Sequence, residues 1–388
     1  MGKWEMMRLG DVCEVVSGST PSTRNDELWD GDIKWIAPAE ISDDSYFIYD
    51  TVKRISEKAG LKPMPTGTVL LSSRAPIGKV AIAGTEMCCN QGFKNLICSE
   101  KIHNRYLYRY LKNQTEYLNS LGRGATFKEI SKAIVENVTI PLPPLEVQRQ
   151  IADVLDCASA LIEKRKTQIA KLDLLVKSQF IEMFGDPVTN PKGWEVETLG
   201  NHLKVIGGYA FKSTGYKQVG IPVLRIGNIN TGVLTLNDMV FWNYDKRLER
   251  YIMFPNDLVI SLTGTVGKDD YANVCILPAQ YPQYYLNQRN AKLDVFGTLN
   301  NCYLLYLFRN KEVKKRLTGI SRGIRQANIS NSDILNLCVP IPPKSLQEEF
   351  SVFVERVEAQ KSLLQKSLAE LEINYKSLMQ KCFRGEVF

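Results

Sequence analysis

Histidine is almost missing from this chain of 388 residues, which has only His103 and His202. Nine cysteines lie scattered, at 13, 88, 89, 98, 157, 275, 302, 338 and 382, and none forms a Cys-x-x-Cys pair. Zinc sites need closely spaced His and Cys ligands, so a metal site has almost no material here. The odd number argues against a full set of internal disulfides; the cysteines read as reduced, mostly buried small hydrophobes. No run approaches the roughly 18 apolar residues of a membrane span. The opening MGKWEMMRLGDV also lacks an apolar signal core. The expectation is no membrane and a cytoplasmic protein.

Catalytic signatures are missing as well. Gly78-Lys79 and Gly267-Lys268 lack the upstream glycine and the following hydroxyl residue of a phosphate-binding loop. There is no H-E-x-x-H pair. The N-P-P-Y type motif of amino-methyltransferases is absent, because Asn190-Pro191 is followed by Lys192-Gly193. Asp32-x-Lys34 has the tail of a nuclease motif, in which acids hold Mg²⁺ and the lysine polarises the phosphate. It lacks the preceding Pro-Asp, and a solvated loop is the plain reading. Asp43-Asp44 and Asp269-Asp270 likewise read as loop carboxylates. The chain reads as non-catalytic.

What is present is an ordinary soluble balance: 44% apolar residues, 23% charged, a net charge of +7 and a pI near 8.8. The length suits two or more domains, and the charge permits a polyanionic partner without requiring one.

The informative feature is an internal duplication. Trp4-Glu5 and Leu9-Gly10 return as Trp194-Glu195 and Leu199-Gly200. Val69-Leu70-Leu71-Ser72 with Ile77-Gly78-Lys79 returns as Leu258-Val259-Ile260-Ser261 with Val266-Gly267-Lys268. Asn90-Gln91 returns as Asn287-Gln288, Gly124 with Ile130-Ser131 as Gly323 with Ile329-Ser330, and Gln148 as Gln347. Between these anchors the copies differ freely. A scaffold written twice with two variable surfaces suggests two related tasks on two different ligands.

Each copy has two parts. The first mixes β-rich runs (Thr68–Leu71, Val80–Ala83, Leu258–Ser261) with Gly, Pro and Asn punctuation. Short helices are expected over Ile102–Leu118 and Asn301–Leu317. The second part is a long helix after a proline cluster, since Pro143-Pro144 and Pro342-Pro343 end a strand and open a helix. The first helix is expected from about Leu145 to Phe184. The second is expected from about Ser345, with Glu348 completing a capping box, to Phe383. Neither contains an internal Pro or Gly.

A heptad frame with a/d at Leu155, Ala158, Ile162, Arg165, Ile169, Leu172, Val176, Gln179 and Met183 is interrupted only by Arg165 and Gln179. The repeat offset carries it onto Val354, Val357, Lys361, Leu364, Leu368, Leu371, Tyr375, Leu378 and Cys382, where only Lys361 breaks it. About 40 residues span roughly 60 Å, more than a helix packed on its own small domain needs. An antiparallel coiled coil buries both stripes. Arg165 and Lys361 either set the register or, the preferred reading, snorkel to solvent. The fold class is therefore mixed α/β (α+β), with two similar domains, two long helices and a pseudo-two-fold repeat. The expected divisions are 1–144, 145–185, 186–343 and 344–388.

This order resembles the specificity subunits of Type I restriction–modification systems. Phe180-Ile-Glu-Met-Phe-Gly-Asp-Pro187, Asn190-Pro191 and Gly193-Trp194-Glu195 resemble that family's exit from its central helix. Leu378-Met-Gln-Lys-Cys-Phe-Arg-Gly385 resembles its closing motif, and Pro141-Leu-Pro-Pro-Leu145 with Gln148 its helix entry. The resemblance covers essentially the whole chain. It implies two target recognition domains on an antiparallel helical ruler, reading a bipartite asymmetric double-stranded DNA target. It also implies DNA adenine methyltransferase subunits and restriction/translocase subunits as partners. No cofactor is expected in this chain; S-adenosylmethionine, ATP and Mg²⁺ would sit on the partners.

Phosphates call for cations or backbone amides, and base edges for Arg, Lys, Asn or Gln. The repeated loops supply candidates: Ser73, Arg74 and Lys79 in one copy; Thr263, Thr265 and Lys268 in the other. Arg123, Thr126 and Lys128 in one glycine-flexed loop mirror Arg322, Arg325 and Gln326 in another. Asn90, Gln91 and Lys94 accompany Asn287, Gln288 and Arg289, although an Asn-Gln kept in both copies serves equally to brace the fold. Two other readings stay open: a protein–protein adaptor on a helical strut without DNA, and an enzyme with composite sites. The missing motifs weaken the enzyme, and the adaptor leaves the paired basic loops unexplained.

Overall fold

The computed structural model describes residues 4–74, 76–124, 128–229, 231–319 and 326–388. The chain divides into two compact units, Met1–Lys166 with Lys366–Phe388, and Thr167–Gln365.

The first unit opens with β1 (Met6–Arg8), α1 (Leu9–Val12) and β2 (Cys13–Ser17). There follow β3 (Trp29–Ile36), β4 (Phe47–Ile48), β5 (Lys53–Ile55), β6 (Val69–Leu71), β7 (Val80–Ala83), β8 (Cys88–Cys89) and β9 (Lys94–Cys98). Helices α2 (Asn104–Asn113), α3 (Thr115–Ser120) and α4 (Lys132–Glu136) lead to β10 (Thr139–Pro141) and the long α5 (Leu145–Phe184). The main sheet has the order β2-β9-β6-β7-β4, and a smaller sheet the order β5-β3-β8. Strands β6 and β7 are buried on both faces, which explains their unbroken apolar runs. Alternate side chains serve two cores. Val69, Leu71, Val80 and Ile82 join the α2 and α5 side, while Leu70, Ala81 and Ala83 face the smaller sheet's core.

The second unit repeats the plan. It contains β11 (Val196–Thr198), β12 (Leu203–Gly207), β13 (Ile221–Leu224), β14 (Val240–Trp242), β15 (Ile252–Met253) and β16 (Leu258–Ser261). These are followed by β17 (Thr263–Thr265), β18 (Val274–Ile276), β19 (Tyr284–Leu286) and β20 (Asn290–Val295). Helices α6 (Asn301–Arg309) and α7 (Lys311–Thr318), β21 (Gln326–Asn328), α8 (Asn331–Leu335), β22 (Cys338–Pro340) and α9 (Lys344–Arg384) complete it. Its sheets run β12-β20-β16-β18 and β14-β13-β19-β15. Tyr284 and Tyr285 are fully buried, so they pack rather than present a stacking face.

Repeated residues make repeated contacts. Gln148 is buried; its Oε1 accepts the His103 N–H at 2.8 Å, and its Nε2 donates to the Lys101 and Pro143 carbonyls. Gln347 does the same with Asn300, Thr298 and Pro342. Tyr106 donates to the Pro141 carbonyl and Tyr303 to that of Pro340. At the exit of α5, Gly185 takes φ 78°, and the Trp194 indole donates to the Phe184 carbonyl at 2.8 Å. That capping accounts for the glycine and tryptophan of this motif.

Both long helices follow the expected frame: every a/d residue is buried or half-buried. In the first unit, Ile151 and Leu155 near the start of α5 share a core with Met379 and Cys382 near the end of α9. In the second, Val176, Phe180 and Phe184 near the end of α5 share one with Phe350, Val354 and Val357 near the start of α9. The helices are therefore antiparallel. Lys361 does not snorkel to solvent: its ammonium pairs with Asp173 of α5 at 2.5 Å.

Three local expectations need correction. Each expected short helix is two helices, because the chain breaks at Gln114 and at Asn310, whose side chain caps α7 from an extended conformation. Ser345 lies inside the first turn of α9, which begins at Lys344, so it does not occupy a capping position. The Val266-Gly267-Lys268 anchor is not the counterpart of Ile77-Gly78-Lys79. Ser72 bonds the N–H groups of Gly78 and Lys79, whereas Ser261 bonds those of Ala272 and Asn273. The stretch between Ser261 and Ala272 is five residues longer than that between Ser72 and Gly78, and Gly267-Lys268 lies within it.

Candidate nucleic-acid interface

In the first unit three segments converge beyond the end of β6. The Ser73 N–H donates to the Gly92 carbonyl at 2.7 Å, and the Ile130 N–H donates to the Ser73 carbonyl at 3.0 Å. Arg123 and Glu129 exchange two backbone hydrogen bonds at 3.0 Å. This framework brings the segments that carry Arg74, Asn90 to Lys94, and Arg123 with Lys128 together, and the Glu129 carboxylate lies within 4 Å of both Lys94 Nζ and Arg74 Nη1. Gln91, Arg123 and Lys128 are exposed, and Arg74 is partly so.

Other candidates are used by the fold. Ser73 is fully buried and donates to Gly92. Lys94 is 7% exposed, with Nζ 3.3 Å from Glu129 Oε1. The Asn90 amide donates to Thr20 and accepts from the Gly92 N–H at 2.8 Å, so Asn90 braces its turn. The bracing is tight, because a Cβ on Gly18 would lie 2.0 Å from the Asn90 carbonyl oxygen. Gly208 stands in the same relation to Asn287, at 2.1 Å. Lys79 is half-buried, and its backbone N–H donates to the Ser72 hydroxyl at 2.8 Å.

In the second unit the same framework returns. The Leu262 N–H donates to the Arg289 carbonyl and the Ile329 N–H to the Leu262 carbonyl, both at 2.9 Å. Between them β17 pairs with β21, Thr263 opposite Asn328. Thr265, Lys268, Gln288 and Arg289 are exposed, Thr263 is half-buried and Asn287 buried. Asp270 receives the Thr265 N–H and hydroxyl, and these bonds hold its carboxyl below the usual range. Thr126, Arg322, Arg325 and the Gln326 side chain lie outside the described residues.

Hydrogen-bonding pattern aligns the two surfaces residue by residue: Arg74 with Thr263, Glu129 with Asn328, Gly92 with Arg289. One backbone frame thus presents different donors and acceptors, suited to phosphate oxygens and base edges. Glu129 escaped sequence reasoning, since an acid beside basic loops has no pattern of its own. Thr20 escaped it too; its only signal is Gly18, the counterpart of Gly208. Lys34, the lysine of the nuclease-like fragment, donates to the Tyr49 carbonyl at 2.7 Å. Among the described residues no group of His, Cys, Asp and Glu could hold a metal ion, and no helix is long and apolar enough to cross a membrane.

A family model described as the Type I restriction modification DNA specificity domain matches residues 1–173 and again residues 191–373. The Type I restriction enzyme MjaIX specificity subunit of Methanocaldococcus jannaschii is 32% identical over 415 residues, covering 99% of this chain and 93% of that protein. The EcoKI specificity subunit of Escherichia coli is 24% identical over 344 residues, covering 81% and 73%. Among solved structures, the S subunit of a Type I restriction–modification system from M. genitalium superimposes with a TM-score of 0.60 at 15% identity. That match covers 98% of this chain and 96% of that one, and shows a shared fold.

Proposed function

This chain belongs to the Type I restriction modification DNA specificity family, and on that premise we propose that it reads a bipartite, asymmetric double-stranded DNA target, one half-site per copy of the repeat. The observation that carries this reading is the repeated frame with unlike side chains at equivalent places. Residues 1–144 and 186–343 are the reading domains in this proposal, and 145–185 and 344–388 the helices that connect them. The chain is a recognition subunit and not an enzyme. Adenine methylation and DNA cleavage belong to partner methyltransferase and restriction/translocase subunits, which hold S-adenosylmethionine, ATP and Mg²⁺. The place of work is the cytoplasm.

Methylome sequencing of cells with and without the chain tests this. Methylated adenines that depend on it should define two unlike half-sites separated by unspecified bases. A palindrome or one continuous motif would overturn the bipartite reading. A protein adaptor without DNA contact would leave the methylome unchanged, and its partners would stay bound regardless of salt, whereas DNA affinity falls steeply as salt rises.

A further inference from the structure

The line Lys94–Glu129–Arg74 is an array of charges that the repeat does not copy, since the equivalent places hold Ala291, Asn328 and Thr263. Lys94 is nearly buried, and a buried ammonium is costly unless paired. Its Nζ lies 3.3 Å from Glu129 Oε1 and 3.5 Å from Ser73 Oγ, which fixes one side of the carboxylate. Glu129 Oε2 lies 3.9 Å from Arg74 Nη1. Arg74 passes over Gly92, where a Cβ would come within 3.3 Å of its Cγ, and keeps 35% of its side chain exposed. Glu129 thus neutralises the nearly buried Lys94 ammonium with one oxygen and turns the other toward Arg74. At 3.9 Å this is a charge contact without a hydrogen bond: the carboxylate draws the Arg74 guanidinium to its side of the surface and leaves the N–H fork to donate to a ligand.

We infer that Arg74 reads the O6/N7 edge of one guanine in the first unit's half-site, and that Glu129, held by Lys94, is the positioning residue that presents it. The inference rests on the proposed reading of DNA. The bidentate fork of arginine matches that guanine edge, and a flexible arginine would spend binding energy on being ordered.

The test uses the full chain, tagged in its own host and purified with the subunits it carries. Randomised duplexes are bound and the retained ones sequenced. Wild-type protein should enrich two half-sites, one with an invariant guanine. Arg74→Ala and Arg74→Lys should each lower that preference by about 10- to 100-fold. Glu129→Gln should lower it by about tenfold, and Glu129→Asp should restore part of it. The other half-site should keep its preference in every variant, which reports an intact fold. A merely structural Glu129 would reduce retention without changing which base is chosen, and that result overturns the inference. So does Arg74→Lys retaining the guanine, which would make Arg74 a phosphate contact. If wild-type protein enriches no sequence, the DNA reading itself falls, and this inference with it.

Discussion

Arg109 grips Asp156: its Nη2 lies 2.6 Å and its Nε 2.7 Å from Oδ1. The other carboxylate oxygen accepts from the Tyr46 hydroxyl at 2.7 Å and from Arg105. Arg109 also donates to the Tyr375 hydroxyl at 3.1 Å, so one cluster ties α2, α5 and α9 together in the first unit. The second unit has Tyr306 at the place of Arg109, edge-on to Phe350 at 5.3 Å. One copy is fastened by charge and the other by aromatic packing.

Burial alone would raise the Asp156 carboxyl pKa, but bonds from Arg105 and Tyr46 and the charge of Arg109 outweigh it and hold the pKa below the usual carboxylate value. A depressed folded value gives stability that is present above the unfolded pKa of about 3.9 and lost as pH falls through the folded one. Asp156→Asn should cost about 2–3 kcal/mol at pH 7 in urea unfolding. The gap from wild type should narrow below about pH 4. A gap of the same size at pH 3 would refute the linkage.

Gln148→Ala should strand the His103 N–H and the carbonyls of Lys101 and Pro143 inside the first unit. The expected loss is about 2–4 kcal/mol in denaturant midpoint analysis. Gln347→Ala should cost the second unit a similar amount. Gln148→Glu should not rescue, because a carboxylate can accept from His103 but cannot donate to either carbonyl.

Arg123→Ala with Lys128→Ala should weaken one half-site only. If these exposed cations touch phosphate, the loss is nearly uniform across sequences and the salt slope falls by about one per contact. Binding titrations at several salt concentrations decide it. Unchanged affinity, slope and base preference would remove this loop from the interface.

The boundary between the two units divides α5 after Lys166 and α9 after Gln365. Seven residues inserted after Arg165 and another seven after Leu364 keep the seam frame in both helices. Each insertion adds about 10 Å, roughly three base pairs at about 3.4 Å each. The methylated motif should keep both half-site sequences and gain a longer unspecified gap. A folded, active complex with the old gap would show that the helices do not set the spacing.

The duplication, the helix entry at Leu145 and the seam residues from Leu155 to Cys382 are legible in the order of residues alone. These depend on local rules: proline ends strands, helical period places side chains on one face, and repeated residues imply repeated contacts. That order misplaced Lys268, because a Gly-Lys inside a longer stretch looks the same in one dimension as a true anchor. Only the tertiary structure showed that Ala272-Asn273 occupies that place, since the hydrogen bonds of Ser261 identify it. Likewise Lys94 and Ser73 read as surface candidates until folding buried them. Glu129 acquired a role only when strand pairing brought it between Arg74 and Lys94, residues far away along the chain. Periodicity is written in the sequence, but long-range juxtaposition of charges is decided by the register in which distant segments meet.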